Sequence, residues 1–187
     1  LAWRIDPDTA VGTLTVTTDV GGVSVGGADP IETDEATAAL PGVYSFAAAP
    51  TALLDDDARV AVLPGADEAV TLDPALRPAA VDAAQQHLDD HLSDCTSPAA
   101  VVPDTCGIRI PWAADLAVVD EIRYRVESLP TVSLTDDSFL AEQGVLIATV
   151  EGTDHEGASD AVTYRTENWS VRGDVTFTAD DIELSVW

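Results

Sequence analysis

The sequence predicts a mainly β chain with one principal helix: a small N-terminal β-sandwich, then a helix packed on a curled antiparallel sheet. Three observations carry this. Short apolar/polar alternations recur through residues 11–73 with turn residues between them. One stretch, from Pro78 to Cys95, changes to helical period. Alternation then returns at residue 121 and continues to the end. The expected divisions are 1–10, a stub or first strand; 11–73, the sandwich; and 74–187, the helix with its sheet and a disulfide loop.

In the first block, "GTLTVTTDV" sets Leu14 and Val16 against Thr13, Thr15 and Thr17, the period of a half-buried strand. "GGVSVGG" follows across a turn with Val23 and Val25 on one side. "ALPGVYSFAAAP" puts a Pro-Gly turn before Val43, Tyr44 and Phe46. "ARVAVLPGADEAVTL" gives two short strands around Pro64-Gly65. In the helical stretch, Val81, Ala84, Leu88, Leu92 and Cys95 form one apolar stripe, Pro78 suits the first turn, and "TSP" ends the helix. Beyond it, "EIRYRVESL", "TVSL", "GVLIATVEG", "AVTYRTENWSVRG", "DVTFTA" and "DIELSVW" are expected as successive strands.

The run "VSVGG" followed by "LPGVYSF" resembles PEGA-type surface domains, small β-sandwiches with a Pro-Gly-x-Tyr step before a strand; Pro41, Gly42 and Tyr44 match that step. The usual Gly-x-Thr-Pro before the step is replaced by "GGADPIETDEATAAL". The helix followed by a meander resembles cystatin-like and NTF2-like domains. The two-part layout with its Cys pair resembles the extracytoplasmic ends of actinobacterial membrane-anchored envelope proteins. These resemblances imply a surface or envelope module rather than an enzyme.

Composition narrows the partners. The 187 residues carry 34 acids against 8 basic residues, a net charge of -26. All the basic residues are Arg, so nothing could neutralise a row of phosphates, and nucleic acid is excluded as an expected partner. Attraction to an anionic membrane surface is disfavoured for the same reason. Such acidity fits either GC-rich coding, as in actinobacteria, or a surface adapted to high salt, as in haloarchaea. The 46% hydrophobic content suffices for a core. No apolar run approaches the ~20 residues of a membrane helix. With no Met in the sequence, a signal or membrane anchor is expected upstream of Leu1. Cys95 and Cys106 are the only cysteines, and their even count and close spacing predict a disulfide closing a short loop, hence an oxidising compartment.

The stretch most like a site is "HLDDHLSDC", residues 87–95. His87 and His91 stand four apart, as in the zincin H-E-x-x-H, but Leu88 replaces the glutamate base. His87, His91 and Asp94 could clasp a divalent ion, while the favoured reading is the wet edge of a core-packing helix. His155 lies in a polar loop, "GTDHEGASD"; as a general base it would need a nucleophile and an orienting partner in place, and a polar loop tip is the expected reading. Asp154, Glu156 and Asp160 could offer oxygens to calcium without EF-hand spacing. Asp55-Asp56-Asp57, Asp136-Asp137 and Asp180-Asp181 mark turns. Arg109, Arg123, Arg125, Arg165 and Arg172 gather in the second half. Cross-strand ion pairing with Glu121, Glu127 and Glu167 is expected of them; an anion or glycan patch, helped by Tyr or Trp169, is the functional alternative.

The sequence thus points to a non-catalytic extracytoplasmic or cell-surface module with a binding or structural role in the envelope. A secreted metal-dependent or carboxylate hydrolase and an acidic surface protein of a halophile are the alternatives. No catalytic residue, metal ligand or cofactor is assigned. The expected partner is a cell-wall component or another protein.

Overall fold

The computed structural model describes residues 10–28, 30–31 and 33–187. The expected N-terminal stub therefore lies almost wholly outside the described residues. The fold is mainly β with one principal helix, in agreement with the sequence. Strands and helices divide between two compact units: residues up to Ala80 with Thr176–Glu183, and Val81–Val175 with Leu184–Trp187. Among the described residues no helix is long and apolar enough to cross a membrane.

The first unit holds two facing sheets. One has the order β4-β1-β8, from β1 (Gly12–Thr18), β4 (Thr37–Ala39) and β8 (Asp67–Leu72). The other is β3-β2-β5-β7, from β2 (Gly22–Val25), β3 (Pro30–Ile31), β5 (Gly42–Ala49) and β7 (Asp57–Val62). Inward residues of both form one core: Leu14, Val16, Ala39, Val70 and Leu72 from the first, Val23, Phe46 and Val62 from the second. The short strands β6 (Leu54–Asp55) and β9 (Ala75–Leu76) pair with each other. The Pro64-Gly65 turn does not make a hairpin. Strand β7 pairs with β5, and β8 crosses to lie parallel with β1 from Thr13↔Asp67 to Thr18↔Leu72. That arrangement puts Val62 of β7 and Val70 and Leu72 of β8 into the same core.

The second unit is one helix and one curled sheet. Helix α1 runs Pro78–Cys95, the bounds that Pro78 and "TSP" predict. Its buried stripe is Ala80, Ala84, Leu88, Leu92 and Cys95; Val81, expected to head the stripe, is half-buried. Gln85 ties the helix to the sheet: its Nε2 donates to Pro130 O (3.0 Å) and its Oε1 accepts from Val132 N (2.9 Å). The sheet order is β10 (Leu116–Ser128), β12 (Ser138–Asp154), β13 (Ser159–Phe177) and β14 (Ile182–Val186), with β11 (Thr131–Leu134) also on β12. The segments "AVTYRTENWSVRG" and "DVTFTA", expected as separate strands, are one strand. Gly173 marks a close approach within it rather than a turn, because a Cβ there would overlap the Ser185 carbonyl oxygen.

A bulge decides how this sheet is used. Gln143 adopts φ 68°, and the β12–β13 register shifts on both sides of Gly144. Before the bulge β12 pairs with β11, from Phe139 to Glu142; after it, with β10, from Val145 to Asp154. The buried face is kept across it. On β13, Val162 and Tyr164 pack into the core with Leu116, Ile122, Ala148 and Val150. Between Thr166 and Trp169 the ladder advances three residues on β13 against two on β12, so Trp169, Val171 and Val175 stay on that same buried side. The other face, which carries Arg165, Ser170 and Arg172, stays exposed.

Candidate ligand cleft

The open part of one face forms the largest concavity described, a cleft of about 770 Å³ in the second unit, within the roughly 300–1,000 Å³ usual for ligand sites. Its floor is a row of side chains at two-residue spacing on β13, namely Asn168, Ser170 and Arg172, with Thr166 at the margin beyond the bulge. Leu140 and Glu142 of β12 continue the floor, with Leu140 directly opposite Arg172 in the ladder. Asp104 and the run Gly107–Arg109 build the wall, and Trp187 closes one end.

The wall is held by the disulfide loop. Cys95, the last residue of α1, is bridged to Cys106, with Cα atoms 5.6 Å apart. Both cysteines are buried, at 5% and 0% exposure. Trp169, 1% exposed, reaches from β13 and donates through Nε1 to Cys106 O at 2.9 Å. Gly107 then passes so close to the strand that a Cβ would overlap the Ser170 carbonyl oxygen, and it does so at φ 62°. Only glycine suits both the contact and the dihedral. At the other end, the Trp187 backbone N–H donates to Arg172 O (3.2 Å), and the Arg172 guanidinium lies over the indole, 4.8 Å from its centroid.

No family model, curated protein or solved structure matches this chain.

The arginines separate into two groups with different partners. Arg123 bridges Glu121 (3.2 Å) and Glu151; Arg125 bridges Glu127 (3.1 Å); Arg165 bridges Glu127 and Glu167 (3.2 Å). These are cross-strand and same-strand ion pairs on an exposed face, worth little in stability each. Arg172 does not join them. The register shifts around Gly144 keep it on the same exposed face as Arg165, but further along the strand, where it lines the cleft. Trp169, which the glycan-patch alternative placed among these arginines, points inward instead and fixes the wall. Arg109 and Arg172 have no carboxylate partner among the described residues.

The other sequence candidates are dispersed. His91 Nε2 sits 3.1 Å from Thr105 O and 3.6 Å from Cys95 Sγ. His91, Cys95 and Cys106 place their ligand atoms within 4.8 Å of one another, a group that His87 and Asp94 do not join. With both sulfurs consumed in the bridge, that group offers a metal a single nitrogen. His87 and Asp94 are exposed on the helix surface. His155 is exposed at the turn between β12 and β13. In the same turn one Asp154 carboxylate oxygen accepts from the backbone N–H groups of Glu156 and Ala158, both at 2.8 Å. The hydrogen bond from Ala158, the largest influence, and those from Glu156 and Gly157 hold this carboxyl below its usual range. Asp160 accepts from Ala161 N (2.8 Å). These acids cap backbone rather than converge on an ion.

Sequence reasoning missed Thr166, Asn168, Ser170, Glu142, Asp104 and Trp187 as neighbours. The alternation in "TENWSVR" was a usable signal that Asn168 and Ser170 share a face opposite Trp169 and Val171. Which face stays open depends on the bulge and on the wall.

Proposed function

We propose that the chain is a non-catalytic extracytoplasmic module of the cell envelope and that the cleft is its ligand-binding site. The observation that supports this reading best is the join between bridge and cleft. A buried disulfide, which an oxidising compartment maintains, anchors through Trp169 the wall of the cleft. The cleft offers hydrogen-bonding and charged groups facing outward from a rigid sheet, the arrangement of a recognition surface. The resemblance of the layout to anchored surface proteins is in keeping with it, with a cell-wall component or another protein as partner.

The test has two arms. Intact source cells, expressing the chain with its natural flanks and an epitope tag, are treated with added protease and separately with a thiol-blocking reagent. Degradation from outside, with Cys95 and Cys106 inaccessible to alkylation until reduction, is the expected result. Protection together with two alkylated thiols places the chain in a reducing compartment and ends the reading. In the second arm the purified oxidised chain should co-sediment with the isolated envelope fraction, and Asn168→Arg, which fills the cleft floor, should abolish this.

A further inference from the structure

We infer that the cleft takes an acidic saccharide, a short oligomer carrying ring carboxylates, with Arg109 and Arg172 receiving the carboxylates and Trp187 stacking on a sugar ring; this rests on the cleft being the ligand site proposed above.

Charge makes the first case. Acids outnumber arginines heavily in this chain, and Arg123, Arg125 and Arg165 are each engaged by glutamates. Arg109 and Arg172 both line the cleft and carry no such partner. A guanidinium presents a planar fork of donors that fits a carboxylate through two parallel hydrogen bonds. Asp104 and Glu142 line the same cleft, so its charges balance. A site of both signs favours a ligand that offers a few fixed carboxylates among many hydroxyls, because the acids then accept from the hydroxyls. A dense polyanion meets Asp104 and Glu142 as repulsion.

The floor makes the second case. Asn168 and Ser170 present amide and hydroxyl groups in line with Arg172 along β13. At about 3.3 Å per residue, the row from Asn168 to Arg172 runs roughly 13 Å, room for a short extended oligomer. These are groups that both donate and accept, as ring hydroxyls require. The third case is Trp187, an indole 60% exposed with Arg172 stacked on it. Its open apolar surface suits the C–H face of a pyranose ring while its neighbours bind the polar rim.

An acidic peptide is the competing ligand. An extended peptide gains most by adding to a sheet edge through its backbone. Here the β13 edge beside the cleft is crossed by Gly107 at Ser170. What remains is side-chain chemistry on a sheet face, which favours the saccharide.

The experiment uses the purified oxidised chain and defined probes, followed by amide chemical shifts and calorimetry. The probes are trimers of galacturonate and of guluronate, the methyl ester of the galacturonate trimer, maltotriose, and a glutamate-rich tetrapeptide. At least one acidic trimer should bind with shifts confined to residues 102–109, 140–142, 166–172 and 187. Esterification, Arg172→Gln and Arg109→Gln should each weaken binding about tenfold or more, the scale of one charge-assisted bidentate contact. Arg123→Gln, outside the cleft, should leave affinity unchanged, and unchanged amide spectra elsewhere show that the cleft variants fold. Equal affinity for ester and acid overturns the carboxylate assignment, and a tighter peptide overturns the saccharide. No shift with either acidic trimer overturns the inference as a whole. If envelope sedimentation is still lost in Asn168→Arg while both trimers fail, the module reading stands and only the saccharide falls.

Discussion

Tyr124 and Tyr164 face the same core and differ in one hydrogen bond. Tyr164 Oη donates to Asp115 Oδ2 at 2.6 Å, and desolvation, then this bond, push its hydroxyl up to about 12. Its folded value exceeds the usual ~10, so the neutral form is held by the fold. The stability it contributes is complete below pH ~10 and is lost as pH rises toward ~12. Alkaline titration of the tyrosinate absorbance should therefore show a late transition that Tyr164→Phe removes. Tyr124 Oη is buried without a hydrogen-bond partner among the described residues, and burial raises its value too. Removing an unsatisfied buried hydroxyl is neutral or favourable. Tyr124→Phe should keep or raise stability, by up to about 1 kcal/mol in urea unfolding; a loss of that size would mean the hydroxyl has a partner such as water. Asp154 runs the other way. Its lowered value makes its cap effective above the usual carboxylate range near pH ~4, and it fails as pH falls through the lowered value.

At the scale of elements, the disulfide loop and strand β13 form one device. Gly107 in the left-handed region against Ser170 leaves no place for a side chain. Gly107→Ala should cost about 2–3 kcal/mol from backbone strain and displaced contact, read as a lower urea midpoint, and should also disturb cleft amides. The bridge spans a sequence separation of 11. A loop of that length stabilises by about 3 kcal/mol in the chain-entropy model. Because both sulfurs are buried, dithiothreitol should reduce the native chain only slowly, and mild urea should speed reduction; rapid reduction without urea would contradict the burial described. The helix was legible from its period, its proline and its stop, since those signals are local. Strand β13 was not legible as one element: Gly173 looks like punctuation, and only the facing Ser185 backbone explains it.

Across the whole molecule, a charge of -26 opposes compaction. Raising sodium chloride from about 0.01 M to 1 M shortens the screening length from about 30 Å to 3 Å. The melting temperature should rise across that range, and most steeply at the low end. A flat profile would indicate that local pairs, such as those of Arg123 and Arg165, already offset the repulsion.

Fold class, the principal helix with its bounds, and the choice of cysteines were determined by the sequence itself, because period, caps and composition act over a few residues. The parallel pairing of β1 with β8, the partner exchange at Gln143 and the placing of Arg172 in the cleft while Arg165 pairs with glutamates were decided by tertiary structure. One residue added by a bulge shifts the alternation of a strand, and here the shifts on β12 and β13 keep the same side in the core. Asn168, Ser170 and Arg172 therefore stay open where the bridged loop supplies a wall.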